Sequence, residues 1–160
     1  MAGAWLDYGH PARVSLFRND DAAVTVDAWV HIWKLILGGR SASRPLERRI
    51  QPTGIGNAFQ ASATTRTLIF GGSAETEVFA AFDHSYHAGI FGKSPSLQTD
   101  LPALEDAARD GLGVFAKSTG ELSIAVRPDM LGTYLEQMEA LHGSGKDPAQ
   151  LDVLRRMATG

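Results

Sequence analysis

The stretch VTVDAWVHIWKLIL, residues 24–37, decides the fold class of this chain. Its even positions through residue 32 are apolar, and its odd positions from 27 to 33 are polar or aromatic. A period of two over this length predicts a long β-strand with one apolar face, and the β-branched valines and isoleucine favour a strand over a helix. Because Trp29 and Trp33 flank His31 on the second face, we expect that face to be covered as well. Gly38 and Gly39 end the strand.

Two hairpins are predicted further along the chain. RTLIF at residues 66–70 and EVFAAFD at 77–83 read as strands, and GGSAET between them reads as a loop of several residues. LGVFAKSTGELSIAVRP, residues 112–128, contains two alternating runs around a turn at 118–120. Strands joined in this way predict a mainly antiparallel sheet.

Three further segments carry weaker strand signals. ARVSLFR at 12–18 predicts a first strand, whereas RRIQ at 48–51 and residues 96–98 are candidates for short strands. The residues between these candidates are rich in Gly, Ser and Pro and read as loops.

Two main helices are predicted in the second half. Residues 101–110 follow the N-cap candidates Thr99 and Asp100 and precede Gly111. Residues 128–142 begin with a proline and carry leucines and a methionine at helical spacing. We therefore predict an α+β fold with about seven strands, either a mostly antiparallel sheet or a partly open barrel, and two main helices.

The domain organisation follows from length and composition. A chain of 160 residues suits one domain, which we place at residues 1–142. Residues 143–160 begin with Gly and Ser and read as a linker and a short C-terminal helix, so a further domain is expected to follow. There is no cysteine, no apolar run long enough to cross a membrane and no signal-peptide pattern. These features predict a soluble, cytoplasmic protein.

Charge is distributed unevenly. The formal net charge is -3, but residues 38–66 hold five arginines and one glutamate, whereas residues 100–160 hold ten acids and six bases. Such asymmetry indicates a surface that faces a polyanion on an otherwise acidic body. The alternative is that the arginines pair with carboxylates elsewhere in the fold.

The stretch GGRSASRPLERRIQPTG, residues 38–54, concentrates the candidate phosphate contacts. Arginine donates two parallel hydrogen bonds to phosphate or to guanine, and small neutral donors and amides contact phosphates and base edges. The candidates in and just after this stretch are Arg40, Ser41, Ser43, Arg44, Arg48, Arg49, Gln51 and Asn57. The alternative is a solvated loop with weak surface ion pairs.

A second polar segment, FDHSYHAGIFGKSPSLQ at residues 82–98, reads as a binding loop. Its candidate nucleic-acid contacts are His84, Tyr86, His87, Lys93, Ser94, Ser96 and Gln98. The H-x-x-H spacing of His84 and His87 lacks a third ligand fixed by sequence, so no metal or other cofactor is predicted.

Catalytic motifs are not evident. Asp83 ends a strand, but no Glu-x-Lys follows on a later strand, and no nucleophile elbow occurs. We therefore expect no catalysis within this chain. A divergent Mg²⁺-dependent nuclease that uses Glu77, Asp83 and Glu121 is the enzymatic alternative.

Three segments resemble a domain of bacterial restriction-modification systems, found in methylase-associated proteins and in N-terminal DNA-recognition parts of restriction endonucleases. They are residues 38–54, 67–98 and 111–135, with the patterns E-x-R-I-Q, S-P-S-L-Q and R-P-D-x-L-x-x-Y. The resemblance implies DNA recognition in phage defence, with any cutting domain beyond residue 160.

Residues and resemblance together predict a domain that binds double-stranded DNA and recognises its sequence or a modification such as methylation. Two alternatives stay open. One is the divergent nuclease, and the other is an interaction module that docks a methylase or nuclease subunit through the C-terminal apolar helix.

Overall fold

The computed structural model describes residues 10–17, 25–38, 42–92 and 95–143, together with residues 152 and 156. The elements in these residues are β1 (Ala12–Phe17), β2 (Thr25–Lys34), β3 (Ile36–Leu37), β4 (Glu47–Ile50), β5 (Arg66–Gly72), β6 (Phe79–Phe82), β7 (Leu97–Asp100), α1 (Leu101–Asp110), β8 (Leu112–Ala116), β9 (Leu122–Val126) and α2 (Leu131–Gly143). Two 3-10 turns, His84–His87 and Pro128–Met130, complete the list.

The strands form two sheets. A large sheet has the order β1-β2-β5-β6-β9-β8, and a small sheet has the order β3-β4-β7. Among the described strands, only β2 and β5 pair in parallel, and the other neighbouring strands pair antiparallel. The predicted α+β class with a mainly antiparallel sheet and two main helices is confirmed, and the large sheet stays open rather than closing into a barrel.

The long strand predicted from the opening stretch is β2. It pairs with β1 on one side and β5 on the other, and the chain then leaves the large sheet at Leu35 and enters the small one as β3. The second face of β2 is covered at His31, which has no exposed surface, whereas Asp27 on the same face is exposed.

The protein packs in three layers: the small sheet with α1, the large sheet, and α2. Ile50 and Leu97 of the small sheet and Leu104 of α1 share one core cluster with Ile69 of the large sheet. On the opposite face of the large sheet, Tyr134 of α2 lies in a second core cluster together with aliphatic and aromatic residues of that sheet. The small sheet is therefore apolar on its inner face and free to carry polar groups on its outer face.

A glycine sets the distance between α1 and the large sheet. A Cβ atom placed on Gly113 of β8 would lie 1.9 Å from the carbonyl oxygen of Ala103. Only a residue without a side chain allows the helix backbone to approach this closely.

The sequence located most element boundaries. Helix α1 occupies the predicted residues 101–110, and the side chain of Asp100 accepts a hydrogen bond from the backbone N–H of Ala103 at 3.0 Å. Both predicted hairpins form. Helix α2 begins at Leu131, after the 3-10 turn that contains Pro128.

Two details differ from the predictions. The described residues contain nine strands rather than about seven, because the chain around residue 35 divides into two strands and both weak candidates form strands. Residues 84–87 form a 3-10 turn within a segment predicted to be irregular. No helix in the described part of the chain is long and apolar enough to cross a membrane.

Candidate functional site

Two of the quoted sequence patterns meet in the small sheet. E-x-R-I-Q includes β4 and S-P-S-L-Q leads into β7, and these two strands pair antiparallel. Arg49 lies directly opposite Gln98, and Ile50 lies opposite Leu97. Since side chains alternate along each strand, Ile50 and Leu97 point to the core, where each is at most 1% exposed, and Arg49 and Gln98 point outward.

The outer face continues one residue beyond each strand. Gln51 follows β4 and is exposed, and Ser96 precedes β7 and accepts a hydrogen bond at 2.7 Å from the side-chain amide of Gln98. Arg49, Gln51, Ser96 and Gln98 are named the small-sheet face below. The structure thus brings four of the predicted contact residues together, although Arg49 and Gln51 are 45–49 positions from Ser96 and Gln98 in the sequence.

The guanidinium of Arg49 has one donor, Nε, that the described protein leaves unpaired. Its side chain is partly buried, and its Nε atom has no hydrogen-bond partner in the described part of the protein. Because this Nε atom is itself buried, a ligand could reach the guanidinium only through its terminal Nη groups.

Acidic residues limit the positive charge of this face. Glu47 lies opposite Asp100 at the other end of the β4–β7 pair. Burial raises the pKa of Asp100, while a backbone hydrogen bond from Ala103 opposes that change. The cationic part of the small-sheet face is therefore confined to the end that carries Arg49.

Arg48 has a different environment from its neighbour. It is 9% exposed and donates from Nε and Nη2 to Glu75 at 3.2 and 3.0 Å. Its Nη1 donates to the carbonyl oxygens of Pro45 and Glu47 at 3.0 and 3.2 Å. This guanidinium fastens the turn before β4 to the loop between β5 and β6, so its location favours a scaffolding role. The predicted phosphate contact of Arg48 stays a prediction.

The other arginine-loop candidates lie beside the small sheet or outside the described residues. Arg44 is exposed and pairs with Glu47 at 3.3 Å, an exposed ion pair of low energy that a phosphate could replace. Ser43 lies in the same exposed turn. Arg40 and Ser41 lie outside the described residues, as do Lys93 and Ser94 of the second segment.

The remaining candidates are Asn57 and three residues of the second segment. Asn57 is exposed, and its backbone carbonyl accepts from the N–H of Phe91 at 2.6 Å. Tyr86 is 52% exposed on the 3-10 turn. His84 is partly buried with its ring edge-to-face against Phe59. Burial lowers the pKa of His84, and the neighbouring Asp83 carboxylate only partly offsets this change.

His87 is held by an ion-pair network that the sequence did not predict. Its Nε2 lies 2.5 Å from a carboxylate oxygen of Glu121, and Lys117 Nζ lies 2.7 Å from the other oxygen. Burial acts to raise the pKa of Glu121, but hydrogen bonds from His87 and Lys117 outweigh it, so the pKa is lowered and the carboxylate is ionised. His87 therefore donates from Nε2, and the 3-10 turn is tied to the β8–β9 hairpin. The four-residue spacing of Lys117 and Glu121 across a turn was the only sequence signal for this network.

A buried histidine lies under the loop that precedes β5. His31 Nε2 accepts from the backbone N–H of Gln60 at 3.1 Å, and the rings of Trp33 and Phe59 pack around it. Burial, with smaller contributions from His10 and His84, lowers its pKa from 6.5 to about 4. His31 is thus neutral at physiological pH and supports the loop that carries Asn57.

The residues of the nuclease alternative do not converge on a metal site. Asp83 accepts from the backbone N–H of Ser85 at 2.9 Å, and Glu121 is engaged by His87 and Lys117. Within the described ranges, no group of three or more His, Asp or Glu residues could hold a metal ion.

Comparison with known proteins identifies one family. A family model described as Methylase-associated X1 matches residues 26–135, about two thirds of the chain, and this range contains all but the first residue of β2, the strands from β3 to β9 and the small-sheet face. Comparison with curated proteins and with solved structures finds no match. The chain therefore belongs to the methylase-associated X1 family, in agreement with its resemblance to domains of restriction-modification systems.

Proposed function

We propose that this domain contacts double-stranded DNA through the small-sheet face, as a recognition module of a bacterial restriction-modification system that defends against phage. The observation that supports the proposal best is the meeting of Arg49, Gln51, Ser96 and Gln98 on one outward face. The family supports the methylation or restriction-modification context.

The chemistry of the face suits base edges as well as phosphates. A pair of antiparallel strands fits the major groove of B-DNA. Arginine can donate a bidentate pair of bonds to guanine, and glutamine can form a bidentate pair with adenine. Directly opposite residues on antiparallel strands have Cβ atoms about 5 Å apart, so Arg49 and Gln98 could reach neighbouring positions of one site. Ser96 adds a hydroxyl of the kind that contacts phosphate oxygens.

The charges predict a modest electrostatic contribution. Arg44 and Arg49 are the candidate arginines that reach the surface beside the small sheet in the described residues. Two phosphate contacts would give a slope of log affinity against log salt of roughly -1.8, at about -0.9 per contact. Much of the specificity would therefore come from direct contacts with the bases and from the protein that the domain accompanies.

Fluorescence anisotropy with labelled duplexes tests the proposal. Arg49→Ala should weaken binding by about 5- to 150-fold, since a bidentate contact contributes about 1–3 kcal/mol. Arg109→Ala is the matched control, because it also removes one exposed arginine but from α1, where Arg109 pairs with Asp106 and Asp110. Equal affinities of the two variants would contradict the proposal. Methylated and unmethylated duplexes, compared in the same assay, show whether a modification is recognised.

A second candidate function is docking of a methylase subunit. Ile36, Leu37 and Leu46, at the β3–β4 edge of the small sheet, are 39%, 57% and 50% exposed. Exposed apolar side chains beside an arginine are typical of protein interfaces. Leu37→Asp should then abolish co-purification with a co-expressed methylase subunit and leave DNA affinity unchanged. The predicted docking helix at the C-terminus lies outside the described residues apart from positions 152 and 156.

A further inference from the structure

The loop from His84 to Gly92 presents an isoleucine to solvent. Ile90 is 80% exposed, more than the other large hydrophobic residues of the described chain, and Tyr86 on the same loop is 52% exposed. A single exposed apolar residue is common and needs no explanation by itself. What distinguishes Ile90 is the bracing of the loop that holds it.

Fixed contacts brace this loop on both sides of its tip. At the start of the 3-10 turn the Asp83 carboxylate accepts from Ser85 N–H, and at its end His87 Nε2 lies 2.5 Å from a carboxylate oxygen of Glu121. Beyond the tip, the Phe91 N–H donates to Asn57 at 2.6 Å, and its ring packs edge-to-face on Phe59 with centroids 4.7 Å apart. Phe91 is thus anchored toward the core by these contacts, while its neighbour Ile90 projects outward.

The tip is narrow. Ala88, Gly89 and Gly92 around Ile90 are exposed and small. Gly89 has φ of 97° and no heavy atom within 4 Å of the position a Cβ would occupy. The minor groove of B-DNA is about 6 Å wide, and a tip of small residues can bring one branched side chain into it without steric obstruction.

The surroundings of Ile90 favour DNA over a protein partner. The loop from residue 84 to 92 contains no carboxylate, and Asp83 is engaged in its hydrogen bond to Ser85. A stable protein interface buries about 800 Å² on each partner, and Ile90 and Tyr86 on a loop of otherwise small exposed residues offer little of that. A wedge between two base pairs, in contrast, requires a single apolar side chain.

We infer that Ile90 is an apolar wedge that enters the minor groove and partly unstacks one base step of the bound duplex. This inference rests on the proposed DNA-binding function. Unstacking costs a few kcal/mol, and the cost is lower where stacking is already weakened. The wedge therefore gives the domain a preference for duplexes with a locally weak stack.

Anisotropy titrations of a matched duplex and of the same duplex with one central mismatch test the wedge. The wild-type chain should bind the mismatched duplex about tenfold more tightly, as expected for about 1.4 kcal/mol of relieved unstacking cost. Ile90→Ala should bring the affinity ratio close to one, and Ile90→Leu should retain the preference, because leucine also serves as a wedge. Leu37→Ala is the control for loss of an exposed apolar side chain elsewhere.

The outcomes separate this inference from the proposed function. An unchanged ratio in Ile90→Ala, or an equal affinity of the wild type for both duplexes, contradicts the wedge. If Arg49→Ala still weakens binding to both duplexes in that case, DNA binding through the small-sheet face stands without the wedge. If the wild-type chain binds neither duplex, both are wrong.

Discussion

Replacement of Arg48 by alanine should destabilise the small sheet without removing a DNA contact. The guanidinium makes four hydrogen bonds, two to Glu75 and two to the carbonyl oxygens of Pro45 and Glu47. Arg49, the next residue, makes no hydrogen bond from its Nε atom within the described residues and lies on the outer face. The two adjacent arginines therefore separate stability from binding.

The size of the effect follows from the exposure of each partner. The Glu75 side chain is 54% exposed, so its ion pair contributes at most about 1 kcal/mol. The two bonds to carbonyl oxygens come from a charged donor that is nearly buried, and each contributes about 1 kcal/mol or slightly more. Arg48→Ala should thus lower the free energy of unfolding by about 3 kcal/mol, which at this chain length lowers Tm by roughly 6–12 °C.

Urea unfolding followed by circular dichroism measures this loss, with Arg49→Ala as the matched variant. Arg49→Ala should change the free energy of unfolding by less than about 1 kcal/mol, as is usual for a residue without such bonds. Glu75→Gln should cost about 1 kcal/mol or less, since the amide oxygen still accepts from Arg48. If Arg48→Ala keeps the wild-type stability and weakens DNA binding instead, Arg48 is a contact residue and the scaffolding role is refuted.

Two other predictions concern buried histidines. The pKa of His31 is about 4 in the folded state and 6.5 when unfolded, so the unfolded chain binds the extra proton first. The neutral His31 therefore contributes to the free energy of unfolding fully above pH 6.5. This contribution decreases as the pH falls toward 4, by at most about 3 kcal/mol. Urea titrations at neutral and acidic pH should show a smaller loss in His31→Gln than in the wild type, and equal losses would contradict the assignment. For His142, burial lowers the pKa, so the ring is neutral, donates from Nδ1 to the Leu122 carbonyl at 3.0 Å and accepts from the Tyr134 hydroxyl at 2.9 Å. Tyr134→Phe leaves that buried acceptor unpaired and should cost about 1–3 kcal/mol in the same assay; a variant as stable as the wild type would show that the bond contributes nothing.

The sequence predicted the elements better than their pairing. Alternation in residues 24–37 identified β2, and cap residues placed α1 at 101–110. The pairing of β4 with β7 was not predicted, because the β5–β6 hairpin lies between them in the chain and nothing in either short strand specifies its partner. The small-sheet face could therefore be assembled only from the structure.

The arginine cluster shows why composition alone misleads. The sequence gives Arg48 and Arg49 the same surroundings, yet strand alternation points one inward and one outward. Glu75, the partner of Arg48, is 27 positions away. The Tyr134 of the R-P-D-x-L-x-x-Y pattern is likewise a buried residue bonded to His142 rather than a surface group.

The most direct measurement is the DNA affinity of the wild-type chain, Arg49→Ala and Arg109→Ala at two salt concentrations. We predict that the wild type and Arg109→Ala bind alike, with affinity that falls as salt rises, and that Arg49→Ala binds more weakly at both concentrations. A change in the salt slope of about 0.9 in Arg49→Ala would assign this side chain to a phosphate, and an unchanged slope would assign it to a base. Affinity that does not respond to the Arg49 substitution would contradict the assignment of the small-sheet face to DNA.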